Sequence, residues 1–264
     1  MHSPGSDTAA MVYRNYKNGL AALMVRFHER LLAASLSPYF VLVKETTPAK
    51  LSVRQIRDVY SRLAPFYGFW EKLTESRAKE VAFELSAVRD GERILEVAVG
   101  RGTMLKRLAL ANPHGFTVGA DLTAAMLERT RRRLRQNPRV RAGLCQCNAC
   151  ALPFAARSFD CVFSSYLLDL QSAADIEKTL REWYRVLRPA GKLVILHLSA
   201  GNLWFDRIWR IAYGIMPTLL GGCRPLRLAA HLPAIGFSVL ENRRITQSGI
   251  PSEVILARRN HGAK

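Results

Sequence analysis

The chain is 264 residues long and carries 39 Lys and Arg against 21 Asp and Glu, a formal charge of +18 with a pI near 10.3. That length holds one α/β domain with an appendage and a large core, and that charge favours anionic partners, whether membrane surface, nucleic acid or acidic substrate, without choosing among them. Five cysteines, an odd number in a chain of this size with no clean secretory apolar segment ahead of them, argue against a disulfide scaffold and for a reduced, cytoplasmic compartment.

In chain order, residues 1–8 are small and polar and predict no element. Leu20, Leu23, Met24, Phe27 and Leu31 then fall on one helical stripe, with Arg26, Glu29 and Arg30 on the other side. Arg26, His28, Glu29 and Arg30 interrupt any run approaching the ~18 apolar residues of a transmembrane helix. With a linker over 44–50, residues 1–50 read as an amphipathic arm. Its stripe can dock on its own domain, dock on a second subunit in a homodimer, or lie in an anionic membrane interface, which would make the protein peripheral on the inner face of a membrane.

From Leu51 the pattern is helical to Leu63, breaks at Pro65 and resumes to about Val88. Strand and helix then alternate: strand 93–99, helix from 103, strand 116–121, helix 124–136, strands 140–147 and 159–164, helix 173–187, strand 192–198. Such alternation predicts an α/β, Rossmann-like doubly wound sheet with helices on both faces, so residues 51–264 are expected to form one domain. Residues 236–240 and 252–257 read as two last strands. Cys145, Cys147 and Cys150 form a C-x-C-x-x-C cluster, but no second Cys/His pair lies at a zinc-ribbon spacing and no metal is expected. Cys145 and Cys147 are instead expected as small buried side chains on one face of the third strand.

The densest chemical signal runs from Arg93 to Thr103. An apolar strand carrying Glu96 enters a turn with Gly100 and Gly102, and a second strand ends in Asp121, placed to bind both hydroxyls of a ribose. A dinucleotide fingerprint needs a third glycine three positions after Gly102, where this chain has Leu105, so the turn suits a nucleoside ligand without a pyrophosphate. Ile94 to Thr103 resembles the first motif of the class I methyltransferases that use S-adenosylmethionine, with Ala98 where glycine is commoner. Ala120 to Leu127 resembles their second motif. Cys147 to Phe154 with Ser158, Phe159 and Asp160 is similar to the segment that holds the adenine, with Asn148 in place of the usual Asp. Arg185 to Leu193 resembles the turn into the fifth strand, with Ala190 for the first glycine. The resemblance runs from about Tyr60 to Arg258 and points to the branch containing ubiquinone and menaquinone biosynthesis C-methyltransferases and some bacterial phospholipid N-methyltransferases. It implies about seven strands, the last two an antiparallel hairpin, and S-adenosylmethionine as cofactor.

The same resemblance implies a set of contacts. Glu96, Ala98, Gly100, Gly102, Asp121, Leu122, Met126, Asn148, Ala149 and Ser164 would line the cofactor site, Leu122 and Met126 against the adenine faces. Other readings remain beside these: Glu96 as a partner to the helix starting near Thr103, Asp121 as cap of the helix after Thr123, and Leu122 and Met126 as ordinary core. Tyr60 to Tyr67 resembles the family's N-terminal lid, with Ser61 and Gly68 where acids are expected. Tyr60, Tyr67 and Tyr166 are candidate substrate contacts, as are Trp204 and Trp209 in an apolar insert at about 200–224 that reads either as a lid over a lipophilic acceptor or as core. Tyr67, Asp169 and His197 are the candidate catalytic groups, the last two near strand ends where ligands collect in open α/β sheets.

The reaction expected is methyl transfer to a hydrophobic or lipid-linked small molecule. The arginine run Arg129, Arg131, Arg132, Arg133, Arg135, Arg139 and Arg141 reads first as a solvated helix face, then as an anionic-lipid contact, and only third as an RNA surface, because no aromatics interleave it. An RNA methyltransferase and a non-catalytic membrane or assembly module are the alternatives.

Overall fold

A computed structural model of the protein describes Gln55 and residues 67–200, 203–215 and 222–261. The arm, its linker and Tyr60 lie outside the described residues. Seven strands build one sheet: β1 (Arg93–Val97), β2 (Phe116–Asp121), β3 (Gly143–Gln146), β4 (Phe159–Ser165), β5 (Leu187–Leu198), β6 (Phe237–Gln247) and β7 (Ile250–Arg259). Their order is β3-β2-β1-β4-β5-β7-β6, with β7 antiparallel to both β5 and β6 and every other pairing parallel. The helices are α1 (Tyr67–Thr74), α2 (Ser76–Ser86), α3 (Thr103–Leu110), α4 (Ala124–Arg135), α5 (Ala173–Val186), α6 (Leu203–Ile215) and α7 (Leu232–Ile235). Strand order reverses between β1 and β4, so a crevice opens at the carboxyl ends of β1, β2 and β4, where doubly wound sheets bind ligands.

Burial explains why these segments hold. β1 is buried at four of its five positions and β4 at five of its seven, as strands covered on both faces must be. One core gathers Ala78, Ala82 and Leu85 of α2 with Ile94, Met104, Leu108, Cys161, Phe163, Val194, Leu196 and Val254. A second joins Val99, Leu105, Leu127 and Leu134. Leu105 stands where the third glycine of a dinucleotide turn would be, and its side chain fills the space over Gly119, where an added Cβ would come within 2.5 Å of it. Close approach of α3 to β2 is thus obtained by placing the glycine on the strand instead of the helix.

Several expected boundaries move. The third strand is shorter than 140–147, ending at Gln146, so Cys147 lies beyond it and neither Cys145 nor Cys147 is fully buried. They are neighbours all the same: burial and then the Cys145 thiol push the Cys147 thiol up to about 12. The hairpin strands run to 11 and 10 residues, longer than the apolar patterns at 236–240 and 252–257, because β6 is an edge strand carrying Glu241, Arg243 and Arg244 exposed. Strand β5 begins at Leu187, before the turn at Pro189–Gly191, with a register irregularity against β4. Among the described residues no helix is long and apolar enough to cross a membrane.

Both alanines that stand for family glycines adopt left-handed backbone, Ala98 at φ 63° and Ala190 at φ 59°. An L side chain there costs roughly 1–2 kcal/mol, whereas a glycine returns only about 0.4–1 kcal/mol through the freer unfolded chain. Ala190→Gly is therefore expected to stabilise the domain by about 0.5–1 kcal/mol, seen as a higher urea midpoint with unchanged slope. An unchanged or lower midpoint would show that the turn carries no such strain.

Candidate functional site

The crevice at the carboxyl ends of the parallel strands is organised around the turn that follows β1. Successive amides of Ala98 and Val99 both donate to the Ala120 carbonyl of β2, at 2.8 and 3.1 Å. The Gly100 amide donates to Asp121 Oδ2 at 3.0 Å, and the Gly100 carbonyl accepts from the Thr130 hydroxyl at 2.9 Å. Gly102, at φ 73°, lies so close to Thr130 that a Cβ would fall 2.6 Å from its methyl. Strand, turn and α4 are thereby locked together, leaving a backbone cradle at the mouth of the crevice. Thr130 went unnoticed in the sequence among the arginines. Its signal is that Met126, Thr130 and Leu134 recur every four residues on the buried face of α4, and Thr130 is the one polar member.

Asp121 closes this cradle. Its Oδ1 accepts the Thr123 amide at 2.9 Å and the Thr123 hydroxyl at 2.8 Å. Thr123, at the N-cap of α4, therefore spends its hydroxyl on Asp121 and makes no side-chain cap of its own. Burial raises the Asp121 carboxyl above the usual range, with the Thr123 and Gly100 amides pulling the other way. Oδ1 is doubly engaged by Thr123, while Oδ2, which accepts the Gly100 amide, keeps lone-pair capacity of the kind a ribose hydroxyl requires.

Glu96 shares a face of β1 with Ile94, toward α2. It is 2% exposed, and its Oε2 has no hydrogen-bond partner. Burial pushes its carboxyl well above the ordinary value; Lys79 opposes this, while Asp121 and Glu71 add to it. A buried, unpartnered carboxylate oxygen is costly, and at a ligand crevice it fits a cationic donor group. α3 begins at Gly102 without a side-chain cap, so the alternative of Glu96 as its N-terminal partner finds no hydrogen bond.

The other expected cofactor contacts differ in kind. Ser164 is buried and donates its hydroxyl to the Val97 carbonyl at 3.0 Å, bracing β4 against the end of β1. Asn148 is exposed, and its Oδ1 accepts the Cys150 amide at 3.0 Å, closing the turn in which Ala149 is buried. That leaves the Asn148 side-chain amide nitrogen for an adenine edge. Leu122 is 37% exposed and stands free to cover an adenine face, while Met126, 4% exposed, belongs to the packed side of α4.

On the acceptor side, two features escaped the sequence. Lys79 of α2 is clamped between Glu71 at 2.9 Å and Glu75 at 2.8 Å, with its Nζ 5.9 Å from the Tyr166 ring centroid. Burial works against the Lys79 charge, but Glu75 and Glu71 outweigh it and raise its pKa. The other is a buried charged group formed by His197, Glu253, Asp169 and Arg224. Arg224 has no signal in the sequence, since it lies in a loop far from the others and is drawn in only by the fold.

The candidate catalytic residues are placed accordingly. His197 is fully buried, its Nε2 3.0 Å from Glu253 and its Nδ1 3.0 Å from the Leu198 carbonyl. Burial disfavours its charge, yet Glu253 and Asp169 prevail and raise its pKa, and both ring nitrogens lie against acceptors of the protein itself, which suits bracing the cluster over taking a substrate proton. Asp169 accepts the Leu198 amide at 3.0 Å and is pushed up to about 6 by burial, with His197 opposing. The Tyr166 hydroxyl is 2.7 Å from Ser252, and burial raises it well above its ordinary value, which suits orientation over proton removal. Tyr67 begins α1 and Trp204 lies in the first turn of α6. The Trp209 indole donates to the Cys223 carbonyl at 3.0 Å, so it ties the insert to itself. Among the described residues no His, Cys, Asp or Glu cluster is arranged to hold a metal ion.

Residues 94–191 match a family model described as a methyltransferase domain. Over 123 residues the chain is 39% identical to a ubiquinone/menaquinone biosynthesis C-methyltransferase of Hahella chejuensis, covering 46% of this chain and 49% of that one. The chain thus spans about half the length of the curated relatives it matches. Among solved structures it superposes on the 4+2 cyclase SpnF with a TM-score of 0.65 at 16% identity, covering 83% of this chain and all, 100%, of the other. It also superposes on a Haemonchus contortus phosphoethanolamine N-methyltransferase bound to phosphomonomethylethanolamine and S-adenosylhomocysteine, with a TM-score of 0.64 at 17% identity over 81% of this chain and 62% of that one. At such identities the two structures speak for the fold alone.

A test separates structural from catalytic histidine. His197→Gln removes the cation from a buried cluster of two carboxylates, which should cost about 3–5 kcal/mol of stability. Stability carried by a raised histidine is present below its unfolded pKa and lost as pH rises through the folded one, so the variant should lose most in acid and least in alkali. The shape of the pH–rate profile should not change; loss of a limb from it would restore His197 as the base.

Proposed function

We propose that this class I methyltransferase domain, related to the ubiquinone/menaquinone biosynthesis C-methyltransferases, transfers a methyl group from S-adenosylmethionine to a lipophilic small molecule. The observation that carries the reading is Glu96, a buried carboxylate with an unpartnered oxygen beside a glycine cradle that Asp121 closes. Such a site asks for a ligand that is both a cation and a nucleoside. Bound there, the donor supplies an electrophilic sulfonium methyl. Asp121 would take the ribose, Asn148 and Leu122 the adenine, and Glu96 would face the charged methionine end.

The chain's own work is positional. Well-oriented reactants supply about 7–11 kcal/mol of barrier reduction, and neither His197 nor Tyr166 is arranged to remove a proton. Tyr166 and the Lys79 clamp would border the acceptor, with α1 and α6 limiting access of water. Within lipophilic acceptors we favour a quinone precursor methylated on carbon. Two observations support it over an amine headgroup: the likeness to C-methyltransferases, and the engagement of Glu71 and Glu75 with Lys79, which leaves less negative charge for an ammonium. On this reading the protein works in the cytoplasm, at the inner face of a membrane.

Asp121→Ala should weaken S-adenosylmethionine by about 1.5–3 kcal/mol, the range for hydrogen bonds to a charged group. It should also lower stability, because the Gly100 and Thr123 amides lose their acceptor. Calorimetry on the folded variant checks this, and undiminished affinity would show that Asp121 serves only the turn. Incubation with methyl-labelled donor and a total lipid extract should place label in an extractable quinone precursor. Label in a phospholipid amine would replace carbon by nitrogen, and label in added RNA but not lipid would overturn the lipophilic reading.

A further inference from the structure

Helix α6 belongs to an insert that leaves and re-enters the domain at one point. Ser199, just after β5, bridges to Leu226, and the Ala200 amide donates to the Leu226 carbonyl at 3.0 Å. That point lies at the carboxyl ends of the parallel strands, the edge that carries the Gly100–Asp121 cradle. Arg224 anchors the returning strand of chain, its amide reaching the Asp169 carbonyl at 3.2 Å. On α6 itself Tyr213 is 1% exposed, and Phe205, Trp209 and Ala212 are partly buried on the same side.

The remainder of the helix surface is unlike a solvated one. Ile208, Ile211 and Ile215 are 64%, 57% and 71% exposed, the three most exposed large apolar side chains among the described residues. They fall at i, i+3 and i+7, one stripe of the helix, whereas the other exposed apolar side chains are scattered singly over α1, α3, β2, β6 and the turn after β2. Arg207 runs beside the stripe, one turn before Ile211, and Arg210 lies next to Arg207 on the side away from it, both exposed. Leaving one isoleucine in water needs no explanation; a row of three does.

We propose that this face of α6 docks on an anionic lipid bilayer, the three isoleucines entering the headgroup–acyl boundary and Arg207 and Arg210 meeting the headgroups. Charge selects this occupant over two others. A second copy meeting the same face about a two-fold axis would bring Arg207 and Arg210 against their own equivalents, between molecules of +18 each. Residues 1–50 of this chain are basic as well, with six Lys and Arg against three acids. A bilayer with anionic headgroups complements both the stripe and the charge. Docking there would set the crevice against the lipid phase, where a lipophilic acceptor resides. The inference rests on the methyl-transfer reading only in that last step, and vesicle binding is measured without turnover.

Full-length protein should sediment with phosphatidylcholine vesicles containing phosphatidylglycerol, more weakly with phosphatidylcholine alone, and less as salt rises. Ile208→Asn with Ile211→Asn should lower partition about tenfold or more on the anionic vesicles, since each side chain gives up burial in the interface. Arg207→Gln with Arg210→Gln should lower it severalfold on anionic vesicles only. Both variants should keep the melting temperature and the S-adenosylmethionine affinity of the parent, so that loss of docking and failure of the cofactor reading are separate results. Parental vesicle binding by the isoleucine variant overturns the proposal. So does a fall from dimer to monomer with vesicle binding retained, which would assign the stripe to a second copy.

Discussion

The site depends on the pair of hydrogen bonds that Gly100 makes, its amide to Asp121 and its carbonyl to Thr130. A turn leaving a strand at the carboxyl edge of a sheet has backbone groups that the sheet no longer satisfies. Here three groups on two elements satisfy them: the Ala120 carbonyl on β2, the acid that ends β2, and a threonine on the helix after it. The turn is therefore fixed by the neighbouring βα unit, and a ligand meets a preformed backbone surface. The left-handed Ala98 and Gly102 are tolerable within it because the surrounding bonds determine their conformation.

Charge inside the domain is distributed with a consistent logic. Where Lys79 and His197 lie buried, carboxylates lie within 3.0 Å of them. The first cluster braces the successive helices α1 and α2, and the second joins elements distant in sequence, β5 to β7 and the segment after β4 to the returning end of the insert. Glu96 and Asp169 each keep one buried oxygen without a hydrogen bond, but Asp169 is compensated by His197 and Arg224, whereas the cation acting on Glu96 is Lys79, itself held by two glutamates. A buried carboxylate oxygen without a partner costs stability wherever it occurs.

Two helices of the domain carry their exposed charge differently. Around α4, exposed Arg131 and Arg132 share Glu128 within the same helix, which is how a solvated face carries charge. On α6 the exposed isoleucines have no such neighbours, and Arg207 stands beside them instead. Arginine density along the chain therefore misdirects attention to α4, while among the described residues the surface that departs from ordinary solvation is the isoleucine row of α6.

Much of the site was legible in the sequence because it is local. Glycine spacing, an acid at the end of the second strand, and strand–helix alternation are properties of neighbouring residues, and they specify the sheet and the backbone cradle that Asp121 closes. Long-range placement was not legible. His197 reads as a candidate base until Glu253, 56 positions away, pairs with it across the β5–β7 ladder. Arg224 and Thr130 carry no motif, and each gains its role from a backbone group it meets when the chain folds, whereas the Glu75–Lys79 pair at i, i+4 was there to be read along one helix. The sequence alone determined which residues can form strands, turns and the glycine cradle, since steric and hydrogen-bonding rules act over a few residues. Only the tertiary structure decided which charges are satisfied and which apolar side chains remain in water, because both depend on what the distant chain brings beside them.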